Sequence, residues 1–170
     1  MPCACKCPGL EYPENKEWGP FLWRTLHGLA ERVGTSISAL YEAEERRNWI
    51  SVLSGIGTML PCDECRDHYK EYLAAHSLKG IETVPKSELR TWIRTWLWSL
   101  HQDVNLRLGK TVEIALEDLP ALYKGTNISV EFRYFDMIER KSITKYGVPI
   151  LNYNTWLRHM RNLLTVYGLT

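Results

Sequence analysis

Apolar residues recur three and four positions apart over much of this chain, and this spacing is typical of amphipathic α-helices. In the segment 18–34, for example, Leu22, Leu26 and Leu29 fall on one stripe, and Gly34 follows as a helix stop. The pattern predicts four helices, at about 18–33, 39–59, 62–76 and 88–108. Because the breaks between them are short, we expect the helices to form a bundle.

Serine and proline residues mark the expected ends of these helices. Ser38 and Ser87 are predicted to be N-caps of the second and fourth helices. Pro61 suits the first turn of the third helix, and residues 76–85 are predicted to form a loop. The residues expected to point inward from the second helix are Leu40, Trp49, Ile50, Leu53 and Ile56.

The pattern after Thr111 differs from that of the first part. The segment 128–135, ISVEFRYF, alternates in polarity and contains β-branched residues, so it suits either a strand or the apolar face of a helix. Residues 154–168 predict a final amphipathic helix. The residues expected on its buried side are Trp156, Met160, Leu163 and Leu164.

The composition limits the classes of partner. The 170 residues are 45% hydrophobic with a formal net charge of +1, which suits one domain with a sizeable core and gives no reason to expect a nucleic-acid or membrane partner. No apolar run reaches the roughly 18–20 residues that span a bilayer. The start, MPCACKCPG, lacks the apolar core of a signal peptide. We therefore expect a cytoplasmic, reducing environment, where cysteines are more often catalytic or metal-binding than bridged.

The five cysteines form two groups. Cys3, Cys5 and Cys7 alternate near the N-terminus, whereas Cys62 and Cys65 form a C-x-x-C pair where the third helix is predicted to begin. A C-x-x-C pair serves as half of a zinc site, as a structural clip or as a working dithiol. Since five is odd, at least one thiol stays outside any internal disulfide.

The position of the C-x-x-C pair favours a reactive dithiol. A helix N-terminus stabilises a thiolate, and two cysteines three residues apart on a helix lie close enough to form a disulfide. A zinc site needs four ligands, which Cys5, Cys7, Cys62 and Cys65 would supply together. A thioredoxin-like motif would follow a strand in a βαβ unit, and none is predicted here. A dithiol on a helical frame needs an electron acceptor, so we infer a bound redox cofactor.

Two pairs of side chains are spaced so that each pair could line one wall of a pocket. Trp23 and His27 are four residues apart, as are His101 and Asn105, so each pair projects from one helix face. Taken singly, a histidine is more often a hydrogen-bonded structural residue, and a tryptophan more often part of the core. Seven tryptophans in this chain nevertheless suit a flat aromatic ligand held by stacking.

Three motifs together resemble the Erv/ALR family of FAD-linked sulfhydryl oxidases. They are WGPFLWRTLH, which begins at Trp18, LPCDECRDHYKEYL around the C-x-x-C pair, and HQDVNLRLGK, which ends at Lys110. The resemblance implies an all-α fold, a four-helix bundle plus a short fifth helix with an additional C-terminal segment. The implied organisation is a flexible tail over 1–17, an FAD-binding bundle over 18–115, and a C-terminal extension of unknown role over 116–170.

The resemblance also implies the roles of individual residues. Cys62 would be attacked by a substrate thiolate, and Cys65 would lie beside the flavin and pass electrons to FAD, which oxygen reoxidises to give hydrogen peroxide. Cys3, Cys5 and Cys7 would shuttle electrons from the substrate to this pair. The residues implied to bind FAD are Gly19, Trp23, His27, His101, Val104, Asn105, Leu108 and Lys110.

The sequence departs from the family pattern at three places. A basic residue that is often seen near Phe21–Trp23 is absent, and Pro20 follows Gly19 there. Gln102 stands where the family motif has asparagine, so one hydrogen bond is either remade or lost. Trp98 and Ala115 stand where family members commonly carry a C-x16-C disulfide that holds the fifth helix. We expect packing of Trp98 to replace that disulfide.

The implied partners are protein dithiols, possible thioredoxin-like carriers among them, with O2 as acceptor and a second copy in a homodimer. A small family member without targeting signals resembles the sulfhydryl oxidases of large cytoplasmic DNA viruses. We therefore expect the protein in a host cytoplasm or in a virion. The alternative function is a zinc-stabilised helical interaction module that uses Cys5, Cys7, Cys62 and Cys65.

Overall fold

The computed structural model of the protein describes residues 13–36, 38–111, 114–146 and 149–170, and within these ranges it contains helices and no β-strand. Two 3₁₀ segments, Ala39–Tyr41 and Leu116–Asp118, precede the second and sixth helices. The α-helices are α1 (Asn15–Ala30), α2 (Glu42–Met59), α3 (Asp63–Ala75), α4 (Gly80–Thr83), α5 (Lys86–Arg107), α6 (Leu119–Tyr123), α7 (Ile128–Tyr146) and α8 (Ile150–Val166). The predicted all-α fold is confirmed.

Helix α1 begins three residues before the predicted start at Trp18 because a capping box forms upstream. The backbone N–H of Glu14 donates to the Glu17 carboxylate at 2.6 Å, and the Glu14 side chain accepts from the backbone in return. After the last turn, Gly34 adopts a positive φ of 77°, which glycine tolerates without a Cβ clash. Gly34 therefore ends the turn over residues 31–34, whereas α1 itself ends at Ala30, three residues before the predicted end.

The start of α2 corrects the prediction. The Ser38 hydroxyl does accept from the Leu40 backbone N–H, but the helix that it caps is a 3₁₀ turn, and α2 begins only at Glu42. Leu40 is 89% exposed, so its predicted inward position is wrong. Trp49, Leu53 and Ile56 are buried as predicted.

Three further boundaries differ from the sequence prediction. Pro61 lies one residue before the N-cap of α3, which is Cys62, and so stands outside the first turn. Helix α5 starts at Lys86 after Pro85, which leaves Ser87 inside the helix instead of at its cap. The predicted loop over residues 76–85 contains the short helix α4, which packs between α2 and α5.

The segment whose secondary structure the sequence left open is helical. In α7 the buried residues are Ile128, Phe132, Phe135, Glu139 and Ser142, which recur at intervals of three and four. Only a helix places all of them on one face. Helix α8 begins four residues before the predicted Asn154, and it buries Trp156, Met160, Leu163 and Leu164 as predicted.

The C-terminal helices share one hydrophobic core with the first bundle. Helix α7 packs against α1, and α8 packs against α2. A Cβ atom on Gly28 would lie 2.9 Å from the Ile128 side chain, and one on Gly55 would lie 2.9 Å from the Trp156 ring. The two glycines therefore permit a close approach of α7 and α8 that a larger residue would prevent.

A buried polar network ties the end of the chain to the turn between α1 and α2. The Tyr167 hydroxyl donates to Glu45 at 2.7 Å and accepts from the Trp49 indole N–H at 2.8 Å. The same carboxylate accepts from the Gly34 backbone N–H at 2.8 Å. Among the described helices, none is long and apolar enough to cross a membrane.

Candidate functional site

The C-x-x-C pair lies at the N-terminus of α3, as the sequence predicts. Cys62 is the N-cap residue, and its Sγ accepts a hydrogen bond from the backbone N–H of Cys65 at 3.3 Å. The two sulfurs therefore belong to one turn, where unpaired helix N–H groups stabilise a thiolate. Cys62 is 5% exposed, whereas Cys65 is partly exposed. Arg66 holds the preceding loop by donating to the Leu60 carbonyl at 2.5 Å.

The first turn of α1 lies against the first turn of α3. The Cys65 sulfur donates to the side-chain oxygen of Asn15 over 3.5 Å. Sequence reasoning did not select Asn15. A signal was available, because Asn15 stands four residues before Gly19 and shares its helix face.

One ridge of α1 connects the dithiol to the predicted cofactor-binding residues. Asn15, Gly19, Trp23 and His27 follow one another at intervals of four, and such positions form a continuous row on a helix surface. At about 1.5 Å per residue the row extends about 18 Å. An elongated ligand that lies along this row would reach from Cys65 to the far end of the bundle.

The far end of the ridge holds a cluster of aromatic rings. The Trp23 and His101 rings stack with centroids 3.9 Å apart and an interplanar angle of 7°. The Nε2 atom of His27 lies 3.1 Å from Nδ1 of His101, and the Tyr123 ring stacks on His27 at 4.7 Å. The structure therefore brings three predicted site residues together. Tyr123 was missed, because only the packing of α6 on α1 places it there.

Both imidazoles of this cluster are neutral at neutral pH. Burial, followed by the charge of His101, lowers the pKa of His27 to about 3. Burial, with a contribution from the positive charge of Lys110, lowers the pKa of His101 to about 4. One ring of the pair consequently donates and the other accepts in their shared hydrogen bond.

The remaining predicted cofactor residues gather at the C-terminal end of α5. Val104 packs against the hydrophobic core, while Asn105 and Leu108 are half-buried. Lys110 is exposed beyond the end of the helix. These residues share the His101 end of the bundle.

Several buried atoms in this region suit a polar ligand. Nδ1 of His27, Oε1 of Gln102 and Nε1 of Trp18 are buried without a hydrogen-bond partner in the part of the chain that the structure describes. Gly19 is buried, yet a Cβ atom added there would meet nothing within 4 Å. Unmet polar groups and an open space beside a glycine fit a bound dinucleotide cofactor.

Two of the departures from the family pattern, Trp98 and Gln102, meet at one carbonyl group. The Trp98 indole N–H donates to the Ile114 carbonyl at 3.0 Å, next to Ala115. The Gln102 amide nitrogen approaches the same carbonyl at 3.4 Å. Trp98 therefore contacts this segment, and Gln102 is turned toward Ile114. That the Trp98 contact takes the place of a disulfide stays a prediction.

The predicted shuttle residues Cys3, Cys5 and Cys7 lie outside the described residues, so their role stays a prediction, as does the zinc alternative that needs two of them. Within residues 13–36, 38–111, 114–146 and 149–170, no group of three or more His, Cys, Asp and Glu side chains is placed to hold a metal ion. The described chain begins at Pro13, two residues before the contact of Asn15 with Cys65.

Comparisons with known proteins find relatives that are named sulfhydryl oxidases. The chain is 32% identical over 122 residues to an FAD-linked sulfhydryl oxidase of African swine fever virus, a match that covers 71% of this chain and 92% of the viral protein. It is 34% identical over 95 residues to a putative FAD-linked sulfhydryl oxidase of Frog virus 3, covering 55% of this chain and 57% of that protein.

Sulfhydryl oxidase 1 of Oryza sativa subsp. japonica is 32% identical over 97 residues, and the match spans 57% of this chain but only 16% of the rice protein. No solved structure matches the chain. A sequence model of the Erv1 / Alr family matches residues 20–120, which is more than half of the chain. The range contains the dithiol and two of the four ridge residues, Trp23 and His27. The protein belongs to the Erv1 / Alr family.

Proposed function

We propose that the protein is an FAD-linked sulfhydryl oxidase that forms disulfides in protein substrates. The observation that carries the proposal is the α1 ridge, which joins the Cys62–Cys65 dithiol at one end to the Trp23–His27–His101 cluster at the other. Family membership and the names of the relatives support it.

The proposed reaction begins with thiol–disulfide exchange at the Cys62–Cys65 disulfide. A substrate thiolate attacks Cys62, a second substrate thiol completes the substrate disulfide, and Cys62 and Cys65 are left as thiols. When bound, FAD supplies the acceptor for the two electrons and two protons released as the pair becomes a disulfide again, and O2 takes them to give H2O2. The contact of Cys65 with the α1 ridge supports its place as the sulfur nearer the cofactor.

Particular side chains would hold the cofactor. Gly19 leaves room for close approach to α1, and Trp23 offers an aromatic face for stacking. His27 and His101 are neutral, so they present hydrogen-bond donors and acceptors without charge. Lys110 places a positive charge at the same end, which suits a phosphate group.

The proposal is tested on the purified full chain. It should be yellow with flavin absorbance, consume oxygen with dithiothreitol and release hydrogen peroxide. Cys65→Ser should keep the flavin but lose turnover, because no thiolate then lies beside the cofactor, and Cys62→Ser should also be inactive. Wild-type turnover in either variant would remove the dithiol mechanism. A colourless protein with stoichiometric zinc would support the zinc-stabilised module instead.

We further propose that Cys3, Cys5 and Cys7 pass electrons from protein substrates to Cys62. The position of Pro13 supports this proposal, because Pro13 stands two residues before Asn15, and Asn15 contacts Cys65. Five residues lie between Cys7 and Pro13, and this stretch extends at most about 20 Å. The length of the segment therefore allows Cys7 to reach the dithiol of its own chain.

Thioredoxin-like proteins are proposed carriers, since their small exposed dithiols match the exchange chemistry. Oxidation of reduced thioredoxin by catalytic amounts of the protein tests this directly. We also propose a homodimer, which sedimentation of the flavin-loaded protein at several concentrations would detect. A constant monomer mass at all concentrations would contradict it.

A further inference from the structure

A residue outside the predicted cofactor set touches the sulfur that is proposed to face the flavin. Asn15, the first residue of α1, has its side-chain oxygen 3.5 Å from Sγ of Cys65. A hydrogen bond to sulfur is longer than one to oxygen, and this distance falls in its range. Asn15 precedes residues 20–120, over which the family model matches.

The position of Asn15 is fixed by the fold on both sides. The capping box between Glu14 and Glu17 orders the first turn of α1, and the buried Trp18 anchors that turn in the core one turn later. On the opposite side, Cys65 is fixed by the first turn of α3. The short Asn15 side chain therefore bridges two ordered helix starts, and its contact with sulfur loses little conformational entropy.

The carboxamide of Asn15 can bond both protonation states of a cysteine. Its oxygen accepts from a thiol S–H, and its NH2 group donates to a thiolate after a half-turn about the last torsion. The amide has no charge, so its hydrogen-bonding capacity does not change with pH. A donor to an ionised sulfur forms a charge-assisted bond, which is stronger than the neutral bond it replaces.

Charged residues of both signs occupy the two helix turns that meet at this contact. In these first turns of α3 and α1, the negative side chains are more numerous than the positive ones. The charged residues are Asp63, Glu64 and Arg66 on α3, and Glu14, Lys16 and Glu17 on α1. A neutral donor aimed at Cys65 stabilises its thiolate without adding to this charge.

We propose that Asn15 is a further catalytic residue, whose amide holds the Cys65 sulfur and lowers the pKa of its thiol. This role rests on the sulfhydryl oxidase function proposed above, because that function requires a thiolate at the sulfur beside the flavin, and Asn15 would stabilise it. The amide takes part in no electron transfer, and the only change at the sulfur is loss of a proton to solvent.

The test measures ionisation of Cys65 without any turnover. In full-length Cys62→Ser protein, alkylation by iodoacetamide is followed from pH 5 to 10 and read by mass spectrometry on the tryptic peptide 48–66, which contains no tail cysteine. Replacing Asn15 with Ala should raise the apparent pKa of Cys65 by about one unit, which is about tenfold slower alkylation at pH 7. Asn15→Asp should raise it further, because a carboxylate repels the thiolate.

The aspartate variant tests the contact while the helix turn is preserved. Asp has the shape of Asn and is favoured at a helix N-terminus, so a profile like that of the parent would show that the side chain at position 15 does not act on the Cys65 thiolate. Asn154→Asp makes the same change on an exposed position of α8 and should leave the profile unchanged. Superimposable profiles for all the variants would overturn the proposal. Flavin content is measured on the same samples, so a protein without FAD would defeat the proposed oxidase while the alkylation result still stands.

Discussion

At the scale of single residues, the site combines neutral imidazoles with buried polar atoms that lack a hydrogen-bond partner among the described residues. His27 is 1% exposed, and its Nδ1 has no partner among the described residues. Leaving a buried polar atom unpaired costs about 1–3 kcal/mol. A cofactor that supplies a partner would recover this free energy, so binding should be sensitive to the loss of one side chain.

We expect His101→Ala and Asn105→Ala to lower FAD retention far more than helix content. Each side chain is proposed to contribute about 1 kcal/mol to cofactor binding through a hydrogen bond, which corresponds to about a fivefold weaker affinity. The measurements are the ratio of flavin to protein absorbance and far-UV circular dichroism. Full flavin content in both variants would show that the pocket assignment is wrong.

Gly19→Ala should lower cofactor binding more than it changes stability. Outside its own helix backbone and chain neighbours the new Cβ atom meets no protein atom within 4 Å, but Pro20 follows, and a proline ring disfavours helical backbone in a preceding residue that carries a Cβ. This strain opposes the helix propensity gain of about 1 kcal/mol, so the unfolding temperature without cofactor should change little, while flavin content falls because the methyl group takes space beside α1. A variant with normal flavin content would place the cofactor elsewhere.

At the scale of helices, α8 is fitted to α2 through a glycine. The Trp156 ring is 1% exposed, and its indole N–H donates to the Val52 carbonyl at 3.0 Å. Since Gly55 lies directly under the ring, the ring has no room to move away from an added side chain.

Gly55→Ala should destabilise the protein despite the better helix propensity of alanine. Overpacking a fixed core position costs typically about 1–3 kcal/mol, which exceeds the propensity gain of about 1 kcal/mol. Urea unfolding monitored by tryptophan fluorescence measures the difference, with Ser54→Ala on an exposed position of α2 as the control for propensity alone. Equal stabilisation by both substitutions would contradict this packing.

The N-terminal segment is the second element whose role can be isolated. Deletion of residues 1–7 should leave oxidation of dithiothreitol unchanged, because this small dithiol reaches Cys62 directly. The same deletion should slow oxidation of reduced thioredoxin severalfold if the tail cysteines shuttle electrons. The control is the full-length triple variant Cys3→Ser, Cys5→Ser and Cys7→Ser, which removes the three thiols but keeps the segment. Equal rates with thioredoxin would leave Cys62 and Cys65 as the working pair.

At the scale of the whole molecule, the C-terminal helices bring a buried carboxyl group into the core. Glu139 on α7 is 0% exposed, and neither of its oxygens has a partner among the described residues. Burial raises its pKa to about 8, although the positive charge of Arg66 on α3 opposes the shift and Asp136 adds to it. Tyr153 on α8 also faces this group, so three helices surround it.

This carboxyl should make the protein less stable as pH rises. Below the ordinary pKa of 4.5 both the folded and the unfolded chain hold the proton, whereas between that value and about 8 only the folded state does. The free energy of unfolding therefore falls over this window, by an amount on the order of a few kcal/mol, and levels off above it. Glu139→Gln removes the titration while it keeps the shape.

The variant and wild type should have similar unfolding free energies near pH 4.5, and the variant should be more stable at pH 8. Urea unfolding at pH 4.5, 6.5 and 8 at equal flavin loading gives the comparison. Glu117→Gln, on an exposed residue, is the matched control. Parallel curves for wild type and Glu139→Gln would show that Glu139 is not the group responsible.

The local pattern of the sequence was sufficient for the features that depend on near neighbours. Apolar spacing determined the main helices, and the C-x-x-C pair lies at a helix start because proline and polar capping act within a few residues. The spacing of Trp23 and His27 likewise placed both on one helix face. Helix ends were less predictable, since Pro85 and the Glu14–Glu17 capping box compete with other capping residues.

Features that join distant segments were decided only by tertiary packing. The pattern of ISVEFRYF alone suits either a strand or a helix. The segment is helical because only a helix buries its apolar residues, spaced by three and four, against α1. The contact of Asn15 with Cys65 and the stacking of Tyr123 on His27 cross 50 and 96 residues of chain, respectively. No local rule encodes such distances, because the free energy that holds these side chains comes from helices packing on one shared core.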